Sequence, residues 1–305
     1  MATLTQRLVL AITARSAVRR LFTGTRPGRA LALRFVAGET IDEAVSVARR
    51  LNERGALVSL DHLGEHVGAV ADAEAACEDY LALIDRIAGE GIAGNISIKL
   101  TQLGLGLDDD LAARSLYRLA ERAAAAGSTV SIDMEESQHT AATLALYEAE
   151  QRRTGNLGVA VQAYLHRTGA DLQRIIPLGG HVRLCKGAYR EPASIAFTRK
   201  RDVDASFDVL AAVLMAAAAV RPALATHDEE RIDRSLRHAR HRPAGSFEFQ
   251  MLYGVRGRLQ DRLLAEGHSL RVYVPYGVAW YPYLTRRLAE RPANVVFFLR
   301  ALLGR

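Results

Sequence analysis

Two adjacent arginines near the end of the chain, Arg286 and Arg287, are followed by Glu290, four residues after the first and three after the second. On a helix those offsets bring the carboxylate within reach of either guanidinium. Tyr283 stands four residues before Arg287. Guanidinium forks grip carboxylates through paired N–H···O bonds. The group therefore reads as a carboxylate clamp with an acidic brace, or as a solvated helix face with one ion pair worth about 0.5 kcal/mol. Lysine carries a second signal. Of 40 basic residues only Lys99, Lys186 and Lys200 are lysine. In a chain that otherwise uses arginine, a retained lysine is a candidate for a role needing a compact ammonium, the alternative being chance.

Such residues act only if elements hold them. From residue 56 short apolar runs alternate with longer helical patterns. The runs predict eight strands: 56–60, 95–100, 129–134, 159–164, 181–185, 223–227, 246–251 and 271–275. Helices are predicted at 71–88, 111–126, 141–152, 202–220, 229–238 and 257–265. Strand–helix alternation implies parallel strands with crossover helices. Eight units in this length suit an α/β fold of the (β/α)8 barrel type, whose active sites lie at the C-terminal strand ends. A doubly wound sheet is the runner-up, but no G-x-G-x-x-G follows the first strand. The predicted strand ends carry Asp61 and Glu65, Lys99, Asp133 and Glu135, Gln162 and Tyr164, Arg183 with Lys186, Thr226 and His227, Glu248 and Gln250, and Tyr273. Inward charges are costly unless paired or ligand-bound. A mouth with both signs suits a small zwitterionic or polyanionic ligand. His62 and His66 stand four apart, but no H-E-x-x-H accompanies them, so no metal is expected.

The chain has 305 residues, 49% hydrophobic and 24% charged, ordinary for a globular protein with a substantial core. No apolar run reaches the ~20 residues of a membrane span. Cys77 and Cys185 form neither a zinc pattern nor a disulfide framework, which reads as an intracellular, cytoplasmic chain. The net charge of +6 favours anionic partners in general. A single tryptophan and the lack of an aromatic-plus-basic strand motif argue against nucleic acid. Residues 1–38 hold seven arginines and no acid before Glu39. Residues 4–21 suit an amphipathic helix, read as an arm packed on the barrel, a transit peptide, or a helix lying on an anionic membrane. The domain expectation is a helical arm over 1–54 and a barrel over 55–305.

The motifs resemble the flavin-dependent proline dehydrogenases, in particular the short bacterial monofunctional type. They are D-H-L-G-E from Asp61, N-I-S-I-K-L from Asn95, S-I-D-M-E from Ser131, V-Q-A-Y-L from Val161, R-L-C-K-G-A-Y-R-E from Arg183, A-T-H from Ala225, F-E-F-Q-M-L-Y-G from Phe247 and Y-V-P-Y-G from Tyr273 with Y-L-T-R-R-L-A-E from Tyr283. The resemblance implies a distorted barrel with FAD bound non-covalently in its mouth. It implies oxidation of L-proline to Δ1-pyrroline-5-carboxylate by hydride transfer to flavin N5, with electrons passed to a membrane quinone. By the same resemblance Arg286 and Arg287 grip the substrate carboxylate, Glu290 braces them or contacts the ring nitrogen, and Tyr273, Tyr189 and Leu184 wall the pocket. Lys99 and Asp133 form an ion pair beneath the substrate, and no strong protein base is expected. Arg183 lies near flavin N5 and Gln162 bonds the isoalloxazine. Lys186, Gly187 and Ala188 form the phosphate-side loop, with Thr226, His227 and Met134 as further cofactor neighbours. Glu65 pairs with Arg286 as a gate. Cys185 replaces a common valine, expected as a buried conservative change. Trp280 departs from the family pattern, which leaves open a proline analogue such as hydroxyproline, pipecolate or an N-alkyl amino acid. A Schiff-base lyase using Lys99 or Lys186 is the remote alternative.

Overall fold

The computed structural model describes residue 25, residues 32–240 and residues 242–290, with residues 286–290 described as helix backbone alone. The predicted arm helix over 4–21 lies outside these residues. Eight parallel strands close into a barrel in sequence order. They are β1 (Leu57–His62), β2 (Gly94–Ile98), β3 (Val130–Ile132), β4 (Leu157–Gln162), β5 (His181–Cys185), β6 (Arg221–Ala225), β7 (Glu248–Leu252) and β8 (Leu270–Tyr276). All eight predicted strands are present.

Strand parity explains the two faces. Val58 and Leu60, Ile96 and Ile98, Val130 and Ile132, Val159 and Val161, Val182 and Leu184, and Val272 and Val274 all enter one continuous apolar core with the surrounding helices. Side chains alternate across a strand. The intervening residues therefore face the barrel axis: Ser59 and Asp61, Asn95 and Ser97, Ser131, Arg183, Gln250, Arg271 and Tyr273. Barrel interiors are normally filled with branched apolar side chains. This one is polar, and its charges are paired.

The helices between strands are α2 (Val70–Gly89), α3 (Asp109–Ala125), α4 (Ser137–Thr154), α5 (Thr168–Ile175), α6 (Lys200–Ala216), α7 (Glu229–Ala239) and α8 (Gly257–Ala265). They are preceded by α1 (Ile41–Glu53) and followed by α9 (Trp280–Glu290). Helix α5 was not among the predicted segments. It is only eight residues long, with Gly169 inside it and Pro177 in the 3₁₀ turn that follows, so it shows little periodicity.

The barrel is distorted at its seam. In a regular barrel the helix after the eighth strand packs back over β8 and β1. Here α1 packs there instead. It starts with a capping box, the Thr40 hydroxyl accepting from the Glu43 N–H while the Glu43 carboxylate accepts from the Thr40 N–H. The approach to α1 is tied to the end of β8: Ala37 N–H donates to the Pro275 carbonyl (2.8 Å), and Gly277 N–H to the Gly38 carbonyl (2.9 Å). With its usual place taken, α9 lies at the mouth. Trp280, Tyr281, Tyr283 and Leu284 form a second apolar cluster with Ala32, Phe35, Val36 and Leu63.

Candidate active site

Residues from all eight strand ends line a cavity of about 410 Å³ at the C-terminal face. The lining includes thirteen of the sequence-predicted site residues: Glu65, Lys99, Asp133, Met134, Gln162, Arg183, Lys186, Gly187, Ala188, Tyr189, Thr226, His227 and Tyr273. The side chains of Arg286, Arg287 and Glu290 lie outside the described residues. Their helix is present, and Tyr283 on it lines the cavity.

The floor is a knot of buried charges. Lys99 Nζ donates to Asp61 Oδ1 (3.0 Å) and Asp133 Oδ2 (3.2 Å) and lies 3.5 Å from the Tyr273 hydroxyl. Asp133 is saturated. Its Oδ1 accepts from Ser97 (2.7 Å) and Arg183, and its Oδ2 from Lys99 and the Tyr273 hydroxyl (2.6 Å). Arg183 also donates to Ser97 (3.1 Å) and Ser131 (2.7 Å), and its guanidinium lies 5.5 Å from the centre of the Tyr273 ring. Two carboxylates, one ammonium and one guanidinium leave the floor neutral in total. Burial alone would push the Asp133 carboxyl up; Lys99, Arg183, Tyr273 and Ser97 overcome it and hold it at about 2. Asp61 goes the other way, raised by burial more than Lys99 lowers it, with Asp133 adding repulsion. Burial opposes the charge on Lys99, but Asp61, Asp133 and Glu65 keep it firmly protonated.

On the opposite wall, Gln162 donates to the Glu135 carbonyl (2.9 Å). Lys186 Nζ is held between Asp204 Oδ1 (2.5 Å) and Asp228 Oδ2 (2.7 Å). Gly187 has φ +113°, and a Cβ there would run into the Tyr164 ring. His227 Nε2 accepts from the Leu252 N–H (3.0 Å), which places the ring proton on Nδ1 when the imidazole is neutral.

Several expectations change. Glu248, read as a strand-end residue, is the first residue of β7 and lies low in the barrel, bonded to Arg271 (2.7 Å); the strand begins two residues later than predicted. Leu184 is wholly buried in the outer apolar core, because parity turns it away when Arg183 and Cys185 face inward. Cys185 is consequently a half-buried cavity residue rather than core filler. Trp280 packs in the second cluster and donates to Glu39 Oε1 (3.0 Å), and it does not line the cavity. The resemblance gives no role to Asp61, Ser97, Ser131 or Gln250. Parity was the available signal, since Ser97 and Ser131 each stand two residues before Lys99 and Asp133. Among the described residues one group could hold a metal ion, His66 with Glu135 and Glu136, but both Glu135 oxygens already accept from Thr101.

Known proteins resemble this chain in sequence and in fold. The chain is 41% identical over 282 residues to "Proline dehydrogenase 1" of Bacillus subtilis subsp. natto, covering 92% of both chains. It is 37% identical over 280 residues to "Proline dehydrogenase" of Deinococcus radiodurans, covering 90% of each. Its fold matches a crystal structure of proline utilization A from Bdellovibrio bacteriovorus inactivated by N-propargylglycine, with a TM-score of 0.82 at 24% identity. That match covers 86% of this chain and 33% of the larger one, so the chain spans about a third of that protein. A family model described as proline dehydrogenase matches residues 44–300, from within α1 past the end of α9, and on that span the chain belongs to the proline dehydrogenase family.

Proposed function

We propose that this protein oxidises L-proline to Δ1-pyrroline-5-carboxylate, using FAD held non-covalently in the cavity and passing electrons to a quinone. The observation that carries the reading is the buried floor in which Lys99, Asp133, Arg183 and Tyr273 bond one another at the end of a polar barrel. The residues fit a flavin. Arg183 is 7% exposed, and its Nε has no hydrogen-bond acceptor among the described residues, so it offers an N–H to a heteroatom of a bound ring. Gln162, His227 and the Lys186–Ala188 loop line the same cavity. When bound, the flavin supplies the two-electron acceptor for the hydride that leaves the carbon beside the ring nitrogen.

The chain's own residues position and polarise. Arg286 and Arg287 take the substrate carboxylate, with Glu290 as brace. Lys99 and Asp133 fix the floor beneath the substrate, and Tyr273 and Tyr189 wall it. The fixed charge of Arg183 favours electron gain by the ring beside it. Glu65 and Arg286 close the mouth and exclude water. The Schiff-base reading loses ground, since a nucleophilic lysine must be neutral and Lys99 and Lys186 each lie between two carboxylates. A cytoplasmic position with contact at the inner membrane face, through the basic residues 1–38, completes the reading. No helix of the described residues is long and apolar enough to cross a membrane.

The test is the visible spectrum of the purified protein. A flavin spectrum that bleaches on anaerobic addition of L-proline supports the proposal. A colourless protein, or a flavin left oxidised by proline, overturns it.

A further inference from the structure

The two carboxylates of the floor differ in one respect. Asp133 accepts four hydrogen bonds, two on each oxygen. Asp61 is equally a lining residue and has no solvent exposure, yet among the described residues only its Oδ1 accepts a hydrogen bond, from Lys99. Its Oδ2 is buried without a hydrogen-bond partner among the described residues. A buried carboxylate oxygen left bare is costly, and a ligand that brings a donor relieves it.

This inference rests on the proposed oxidation of proline. At neutral pH the substrate nitrogen is a secondary ammonium with no lone pair, and it must lose a proton before the adjacent C–H bond can release a hydride. Asp133 is saturated, Lys99 and Arg183 already carry their protons, and His227 Nε2 is occupied by the Leu252 N–H. We propose that Asp61 Oδ2 accepts the proton of the substrate ammonium. An N–H bond breaks, an O–H bond forms on Asp61, and the nitrogen keeps the electron pair. That pair is then free to form the C=N bond when hydride leaves the adjacent carbon, for which the flavin of the proposed function would be the acceptor, so the product departs as an iminium and charge balances. The reading revises the expectation that no protein base takes part.

Asp61 suits the task electrostatically. Burial raises its proton affinity, and the described groups around it are Lys99, Asp133, Tyr273, Tyr276 and Tyr80, among which Lys99 alone is a cation and is shared with Asp133.

The experiment is anaerobic flavin reduction by L-proline in the wild type, Asp61→Asn and, should that variant not fold, Asp61→Ser, across a range of pH. A cyclic carboxylate with oxygen in place of the ring nitrogen is titrated into each as a ligand with no proton to give. The expected result is a rate lowered about 100-fold at neutral pH. It should recover tenfold per pH unit towards the amine's own pKa, with flavin content and affinity for the oxygen analogue unchanged. A variant that keeps the wild-type rate and pH profile overturns the proposal. So does one that loses rate equally at every pH together with analogue affinity, which would make Asp61 merely a support for Lys99. A wild-type flavin that proline does not bleach instead overturns the underlying function.

Discussion

Lys99 shows how one ammonium can organise a site. It has three N–H donors, and Asp61, Asp133 and Tyr273 stand within reach of them. The neighbouring carboxylates keep it charged despite burial, so Lys99, Asp133 and Arg183 form a set of fixed charges at neutral pH. Fixed charges of this kind stabilise developing charge without reorganising. In the proposed function carboxylate binding falls instead to Arg286 and Arg287. Replacing Arg287 with Met should raise KM for proline about 100-fold, the loss of a charged contact worth about 3 kcal/mol, with flavin content unchanged. Steady-state kinetics with absorbance at the flavin maximum checks both parts. Native KM would remove Arg287 from the clamp.

The loop after β5 depends on a glycine for a packing reason. Gly187 adopts φ +113°, a conformation L side chains rarely adopt, and its Cα faces the Tyr164 ring. Tyr164 N–H donates to the Lys186 carbonyl (2.9 Å), so ring and loop are locked together. Gly187→Ala should cost about 2 kcal/mol through strain and overlap and should displace Lys186 from the cavity wall. The expected result is a lower flavin-to-protein ratio after purification together with a lower Tm. Full flavin content with native Tm would show that the loop tolerates a side chain. At the other end of the barrel, the placement of α9 follows from α1 filling the groove between β8 and β1. The apolar cluster that anchors α9 is built from Ala32, Phe35, Val36 and Leu63, residues remote in sequence from the helix they hold.

Within the barrel, a second charge layer lies below the floor. Arg271 bonds Glu248 and donates to the Val58 carbonyl (2.9 Å), and Arg221 lies 3.5 Å from Glu248. His181 sits beside them. Burial first, then Arg271, Arg221 and Arg183, hold it down at about 4 against the opposing pull of Glu248. Because the folded pKa lies below the unfolded one, the unfolded chain binds the extra proton between them. Stability from a neutral His181 is present above pH ~6.5 and is lost as pH falls towards 4, by about 2 kcal/mol between pH ~7.5 and ~5. His181→Gln should flatten the pH dependence of urea unfolding by that amount. An identical slope in wild type and variant would show that His181 does not titrate this way.

Much of this molecule can be read along the chain. Eight strands and most helices follow from local periodicity, and one period-2 rule separates Lys99, Asp133 and Arg183 from the apolar residues beside them. The same rule, applied strictly, would have turned Leu184 outward and Cys185 inward. The motifs for a proline dehydrogenase are likewise runs of adjacent residues, which need no fold to be recognised. Long-range pairing is different. That Asp133 takes all four of its hydrogen bonds while Asp61 keeps an oxygen bare of described partners depends on how β1, β2, β3, β5 and β8 converge. The seating of α9 by a distant N-terminal segment, and the removal of Trp280 from the cavity, likewise depend on contacts between residues more than 200 positions apart. Periodicity is a property of neighbours in the chain. Saturation, burial and field are properties of neighbours in space, and they arise only when the barrel closes.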